Sequence, residues 1–314
     1  MILLLQYTII FASVLLLVAL GGCFSERSGV INIGLEGIMV VGALGGALVM
    51  KYLPVEAGAF AMVSLTVLVS AIFGLLFSLL LAVASISFKA DQTIIGTAMN
   101  MVAVAGATVA VKAMNTAASG GNDVSSDIVY THSKDLFLVR FGQFEFNWFM
   151  LVALVCLVIS YVVLYKTRFG LRLRSCGEHP QASASVGINV FKMRYAGVLI
   201  SGLLGGIGGI VYITAGVSVW KFEYGVAGFG FLAMAVMIFG AWHPLKIAAA
   251  AVLFGFLRAL GNVYAGFDFL SALNIPSVVY NMLPYVISLV VLAFTSKKSR
   301  APKAVGQPYE KGSR

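Results

Sequence analysis

The residues best placed to do chemistry inside an apolar environment are Asn32 and Glu36. They follow Glu26 and Arg27 in the run ERSGVINIGLEG, which leads into a long apolar stretch. Residues four apart share one face of a regular helix, although the glycines of this run predict an irregular or broken one. An intramembrane carboxylate usually faces a cavity or a partner. Two interpretations stay open: both residues line a solute pathway, or Glu36 hydrogen-bonds a neighbouring helix and only holds the fold.

A buried amide, Asn100, lies two turns inside the segment that begins ADQTIIGTAMN, residues 90–100. Either Asp91 or Thr93 is expected to cap the start of this helix, because both side chains can accept hydrogen bonds from free helix N–H groups. Asn100 itself must find partners. It is a candidate for binding a polar solute, or for bridging two helices.

The sequence lacks the patterns of catalytic and nucleotide-binding sites. It contains no G-x-x-x-x-G-K-[ST], H-E-x-x-H or G-x-S-x-G motif, and its three cysteines form no C-x-x-C pair. We therefore expect no enzymatic activity, no bound metal and no cofactor in this chain. Any ATP-driven work would come from another subunit.

Composition indicates the solvent around these residues. Of the 314 residues, 60% are hydrophobic and 11% are charged, and the mean hydropathy is +0.99. A soluble chain carries about 25% charged residues. The apolar runs are near 20 residues and continuous, which favours a helical bundle over a barrel. The net charge of +9 is confined to short loops and the tail, so it does not indicate a nucleic-acid partner.

Nine apolar runs predict an all-α, polytopic transmembrane bundle of about nine spans, with eight to ten as the range. Residues 1–296 would form one transmembrane domain, and 297–314 a disordered basic tail. The predicted spans are 2–21, 30–50, 58–86, 92–114, 146–165, 192–215, 225–241, 247–264 and 278–295.

The basic loop 166–194 sets the predicted orientation. Placing this loop and the tail inside leaves fifteen of the 21 basic residues on the cytoplasmic side. The positive-inside rule then puts the N-terminus outside and the C-terminus inside. Within the loop, Pro180 and Gly187 bracket a predicted short helix. Such a helix suits docking onto a soluble partner, and a solvated loop that only sets topology is the alternative.

Small residues predict close helix contacts in the sixth span. Gly202 and Gly206, and likewise Gly205 and Gly209, form small-xxx-small pairs that let helices approach closely. We interpret these four glycines as helix-packing positions and not as ligand contacts.

Two further features concern the later spans. Arg258 lies within the eighth span, where it can reach outward to the membrane surface or pair with an acid. Residues 34–47 and 228–241 are both glycine-punctuated and would run in opposite directions. This weak symmetry is compatible with inverted repeats and with a broken or re-entrant helix.

Several of these stretches resemble one family in sequence and order. They resemble the inner-membrane permeases of nucleoside-type ABC importers, the group associated with basic-membrane-protein lipoproteins. These belong to a larger family that also serves branched-chain amino acids and simple sugars. The resemblance covers about 26–295 and is carried by ERSGVINIGLEG (26–37), ADQTIIGTAMN (90–100), GEHPQASASVGI (177–188), ISGLLGGIGG (200–209) and GFLAMAVMIFGAWHP (230–244).

The resemblance implies one half of a nucleoside pathway in a bacterial inner membrane. Its implied partners are a second permease, a cytoplasmic ABC ATPase that consumes ATP, an extracytoplasmic binding lipoprotein, the solute and the bilayer. The ATPase would dock on a Glu-Ala-Ala-like motif, here Glu178, Ala182 and Gly187, with Ser183 where a second Ala is common. Asn32, Glu36 and Asn100 match signature positions to which the family signature assigns no roles.

Other functions stay possible at this stage. Within the same family, the solute could be a simple sugar or a branched-chain amino acid. An ion-coupled secondary transporter would instead need intramembrane acids or histidines to carry its coupling ion, and only Glu36 clearly qualifies.

Overall fold

The computed structural model describes residues 2–130, 135–142, 144–215, 219–267, 276–295 and 301–310. Its helices are α1 (Ile2–Arg27), α2 (Leu35–Tyr52), α3 (Gly58–Ala82), α4 (Gln92–Ala118), α5 (Trp148–Lys166), α6 (Arg168–Glu178), α7 (Pro180–Ser185), α8 (Val190–Thr214), α9 (Phe229–Phe239), α10 (Pro244–Val263) and α11 (Ser277–Thr295). Its strands are β1 (Asp127–Val129), β2 (Leu138–Phe141), β3 (Phe144–Asn147) and β4 (Val219–Lys221).

The described residues form a polytopic helical bundle, which confirms the predicted fold class. Seven helices are long and apolar enough to cross a membrane: α1, α2, α3 with the π-helical turn after it, α4, α5, α8 and α10. Two further apolar helices, α9 and α11, lie at the remaining predicted positions.

The second and seventh predicted spans are only partly helical. Helix α2 begins at Leu35, after a non-helical segment 28–34, and α9 begins at Phe229, after another non-helical stretch. With 11 residues, α9 is about 16 Å long, roughly half of the hydrocarbon thickness. The span predicted over 225–241 is therefore a broken helix, one of the forms that its glycines indicated. Glycine interrupts the helical backbone there, as the positive φ angles of Gly225 and Gly228 show.

Helix α8 occupies the centre of the bundle and contacts α1, α2 and α3. Its four predicted packing glycines lie at these contacts: Gly205 and Gly209 face α2, and Gly202 and Gly206 face α3. A Cβ atom on Gly206 would collide with the backbone of α3 at Ser70. Absence of side chains thus lets the backbones approach closely.

The two ends of the bundle differ. At the end here named the hairpin end, β2 pairs with β3 and β1 pairs with β4. The Tyr130 hydroxyl ties this end to α8 by donating to the Ile213 carbonyl at 2.7 Å. At the opposite end, here named the loop end, α6 and α7 follow α5.

The C-terminal segment departs from its prediction. Residues 301–310 lie against the loop end, where Tyr309 is 6% exposed. The expectation of a disordered tail is therefore wrong for this stretch, because a buried tyrosine and backbone hydrogen bonds hold it. Residues 297–300 and 311–314 of the predicted tail lie outside the described residues.

We predict that Gly206→Leu destabilises the protein strongly, whereas Gly106→Leu does not. Leucine at Gly206 overpacks the α3–α8 contact, which costs about 1–3 kcal/mol or more. A Cβ atom at Gly106 meets no atom within 4 Å. Thermal unfolding of the purified protein in detergent measures the difference. Equal melting temperatures for the two variants would contradict the assignment of α8 to the core.

Candidate functional site: a junction of two broken helices

The first component of the site is the start of α2. Its N-cap residue is Gly34, which supplies no side-chain hydrogen bond to the helix. The first N–H groups of a helix have no partners within the helix, so a buried start needs a cap from elsewhere. Asn100 of α4 supplies it. Its Oδ1 accepts from the Gly37 N–H at 2.8 Å, and its Nδ2 donates to the Ile33 carbonyl at 3.0 Å.

The depth of this cap follows from helix geometry. Asn100 lies eight residues after Gln92, the first residue of α4, or about 12 Å along the helix axis. The Gln92 Oε1 atom accepts from the Ile31 N–H at 2.7 Å and so fixes the segment 28–34 beside α4. Asp91 caps α4, because its side chain accepts from the N–H groups of Thr93 and Ile94. The start of α2 therefore lies inside the bundle, well away from the loop end.

The second component is the start of α9. The preceding backbone has positive φ at Gly225, Ala227 and Gly228, and Ala227 has no glycine-like freedom to adopt it easily. Both Gly228 and Gly230 donate their N–H groups to the Glu36 carboxylate, each at 2.7 Å. Glu36 therefore caps α9 from α2. A carboxylate is favourable here because the partial positive charge of a helix lies at its N-terminus.

The two helix starts meet directly. A Cβ atom on Gly230 would lie 2.5 Å from the Glu36 backbone nitrogen, so only glycine allows this approach. Glu36 is 8% exposed and Asn100 is 9% exposed. The structure thus brings the two predicted residues together and uses both side chains as helix caps, which supports the structural interpretation that stayed open above.

Asn32 lies in the same region with a different arrangement. Its Nδ2 donates to the Ser201 Oγ of α8 at 2.9 Å, and the side chain is 1% exposed. Its Oδ1 has no hydrogen-bond partner among the described residues. Asn32 is therefore the one of the three predicted residues that retains a free acceptor.

Aromatic residues that the sequence reasoning missed surround the junction. The rings of Tyr212 and Phe229 have centroids 4.4 Å apart. The Tyr285 hydroxyl donates to the Ala227 carbonyl at 2.9 Å, which holds the strained turn before α9. No spacing rule connects these residues, because they come from α8, α9 and α11.

Arg258 follows neither of its two predicted alternatives. Its guanidinium group donates from Nη1 to Asn281 Oδ1 on α11. It also lies over the rings of Phe11 and Phe229, at 5.7 and 5.5 Å from their centroids. An amide and two aromatic faces thus accommodate the charge. Asn281 is a lone amide in an apolar helix, and this was the signal in the sequence that could have indicated a partner for Arg258.

The other end of α9 is held by Glu26 and Arg27, which begin the run ERSGVINIGLEG (26–37), here named the signature run. Trp242, just beyond α9, donates from Nε1 to the Glu26 carboxylate at 2.6 Å, and its carbonyl accepts from Arg27 at 3.1 and 3.2 Å. Burial, followed by the nearby charges of Lys246 and Arg27, lowers the pKa of His243 below its ordinary value. His243 is therefore neutral at pH 7 and leaves Arg27 as a cation of this cluster.

The predicted coupling residues form one surface at the loop end. Pro180 stands in the first turn of α7, and Gly187 follows α7 with a φ of +84°. Glu178 and Ala182 line a groove of about 520 Å³ between α6 and α7. Glu178 also approaches Arg27, at 3.7 Å between side-chain atoms. The loop end thus contacts the signature run directly.

A bundle of spans in which two helices begin inside the membrane is typical of multi-pass transport proteins. Comparison with known families assigns the particular group. The chain belongs to the family described as branched-chain amino acid transport system / permease component, whose model matches residues 4–294. A permease component of this kind contains no ATPase site of its own.

Similar proteins of known name cover nearly the whole chain. This chain is 41% identical to the guanosine ABC transporter permease protein NupQ of Bacillus subtilis, over 98% of its own length and 96% of that protein. It is 38% identical to the nucleoside ABC transporter permease protein NupC of Lactococcus lactis, over 96% and 95%. A more distant relative is the guanosine ABC transporter permease protein NupP of Bacillus subtilis, at 25% identity over 90% and 78%.

We predict that Glu36→Ala lowers the stability of the protein more than Glu36→Gln. Alanine leaves two buried N–H groups without an acceptor, a loss of about 2 kcal/mol. Glutamine retains one acceptor oxygen and nearly the same volume. Thermal unfolding in detergent measures both variants against the wild type. An alanine variant as stable as the wild type would show that Glu36 does not cap α9.

Proposed function

We propose that this chain is a permease subunit of an ATP-driven ABC importer that carries nucleosides into a bacterial cell. Membership of the permease family and the near full-length similarity to NupQ and NupC carry the proposal. The chain forms half of the translocation pathway. A second, related permease forms the other half, and similarity to both NupQ and NupP, two permeases of one bacterium, supports such a pair.

The chemistry around the junction supports a mostly neutral solute with an aromatic base. Amide, hydroxyl and aromatic groups are present at Asn32, Tyr212 and Tyr285, and the Glu36 carboxylate is occupied by backbone N–H groups. Such groups hydrogen-bond a ribose or a base and stack on it without fixed charge. We assign Asn32 Oδ1 as the atom that accepts a hydrogen bond from the solute. Opening of the bundle exposes this oxygen.

The remaining components follow from the proposed importer. A cytoplasmic ABC ATPase docks at Glu178, Pro180, Ala182 and Gly187 and consumes the ATP, and an extracytoplasmic lipoprotein delivers the solute. The chain lies in the inner membrane with its N-terminus outside and its C-terminus inside. Nine membrane segments, including the broken ones at α2 and α9, form inverted repeats whose helix starts meet at the junction.

A chain of contacts connects ATPase docking with the junction. Motion of α6 and α7 reaches Arg27 through Glu178. Arg27 and Glu26 hold the end of α9 at Trp242, and Glu36 holds its start. Displacement of the loop end therefore moves α9 as one unit, and alternating access consists of the bundle switching between two packed states.

We expect cells that lack this chain to lose uptake of radiolabelled guanosine, and the wild-type gene to restore it. Excess unlabelled nucleosides should compete with the label, whereas glucose and leucine should not. The matched control is a strain whose partner ATPase cannot hydrolyse ATP, in which guanosine uptake should also be lost.

Three results would contradict parts of this proposal. Unchanged guanosine uptake together with lost uptake of a sugar or an amino acid would refute the substrate and leave the transporter. Uptake that persists without a functional ATPase but collapses with a protonophore would favour an ion-coupled secondary transporter. Purification of an active chain without an ATPase would lead to the same conclusion.

A further inference from the structure

The C-terminal segment 301–310, here named the strap, crosses the loop end and joins two elements that are far apart in sequence. The Ala304 N–H donates to the Gly177 carbonyl at the end of α6, at 2.9 Å. The Gly306 N–H donates to the Gly29 carbonyl in the non-helical segment before α2, at 3.2 Å. The strap thus hydrogen-bonds both the docking helices and the segment that leads to the junction.

A buried aromatic residue anchors the strap. Tyr309 packs with Cys176 of α6 and Val190 of α8. Its ring meets Phe191 edge to face, with centroids 5.3 Å apart. Burial of such a ring is favourable, so the strap has an apolar attachment independent of its charges.

A buried arginine lies beneath the strap. Arg194 is 1% exposed, and its Nη1 donates to the Gln307 carbonyl at 2.8 Å. A Cβ atom on Gly29 would lie 2.9 Å from Arg194 Nη2, which shows how closely the guanidinium group lies against the segment before α2. The arginine is therefore enclosed between that segment and the strap, and it contacts both.

Charged contacts at the edges are weaker. Lys89 and Glu310 form an ion pair at 2.7 Å, but both side chains are about half exposed. The direct contact between Arg27 and Glu178 is long, at 3.7 Å, and Glu178 is partly exposed. Exposed ion pairs contribute little. Gly177 of α6 also packs directly on Arg27, since a Cβ atom there would collide with the Arg27 carbonyl oxygen. To this packing the strap adds the backbone bonds, Tyr309 and Arg194, which join α6 to the segment 28–34.

We propose that the strap is a coupling element, which makes α6, α7 and the segment 28–34 move as a single unit when the ATPase acts. This role rests on the proposed importer function. Without the strap, fewer contacts join the docking helices to the signature run, so their movement reaches the junction less completely. ATP hydrolysis then continues without the matching movement of solute.

The test compares guanosine uptake and ATP hydrolysis of the complete transporter in proteoliposomes. The variants are a chain that ends after Arg300 and Tyr309→Ala. The matched controls are Tyr309→Phe, which keeps the ring, and Lys89→Ala, which removes only the exposed ion pair. For the first two we expect uptake per ATP to fall at least about fivefold, the lower range of allosteric coupling. The controls should stay near the wild-type ratio.

The outcomes separate this proposal from the importer function. A wild-type complex that takes up no guanosine refutes the proposed function. A functional wild type with an unchanged ratio of uptake to ATP hydrolysis in the truncated chain refutes the coupling role of the strap. If truncation prevents assembly, maleimide labelling of Cys176 in the wild type and in Tyr309→Ala replaces the ratio, because Cys176 is buried beneath Tyr309. Faster labelling in the variant supports the docked strap, and equal labelling overturns it.

Discussion

The interaction on which this structure depends is the bond between the Glu36 carboxylate and the start of α9. Two helices begin inside an apolar bundle, and a helix start buried without hydrogen-bond partners is costly. Glu36 accepts from two backbone N–H groups of α9, and Asn100 performs the same task for α2. With these caps, both helices can begin within the membrane and meet at the junction. Two continuous spans would have no helix starts there.

The signature run also explains how a short helix is positioned at both ends. Glu26 and Arg27 bind the residue after α9, and Glu36 binds the residues at its start. A single stretch, residues 26–36, therefore holds both ends of α9.

Most of the spans and the short helix α7 could be predicted, because hydrophobic runs and proline positions act locally in the sequence. The sequence left two roles open for Glu36, and its partners could not be predicted, because they lie 192 and 194 residues further along the chain. Local composition also failed for the C-terminal segment, where one tyrosine finds a buried site on α6 and α8. For Arg258, where an outward reach and pairing with an acid both stayed open, the partner is an amide, and two aromatic rings lie against the charge.

We infer that Glu36 holds two helices and does not bind the solute. The most direct test is an electron cryo-microscopy structure of the complete transporter with a nucleoside bound in the membrane domain. We expect that the Glu36 carboxylate still accepts from the Gly228 and Gly230 N–H groups, with N–O distances near 2.7 Å. The solute should contact Asn32. A structure in which the Glu36 carboxylate has left α9 and hydrogen-bonds the nucleoside would contradict this inference.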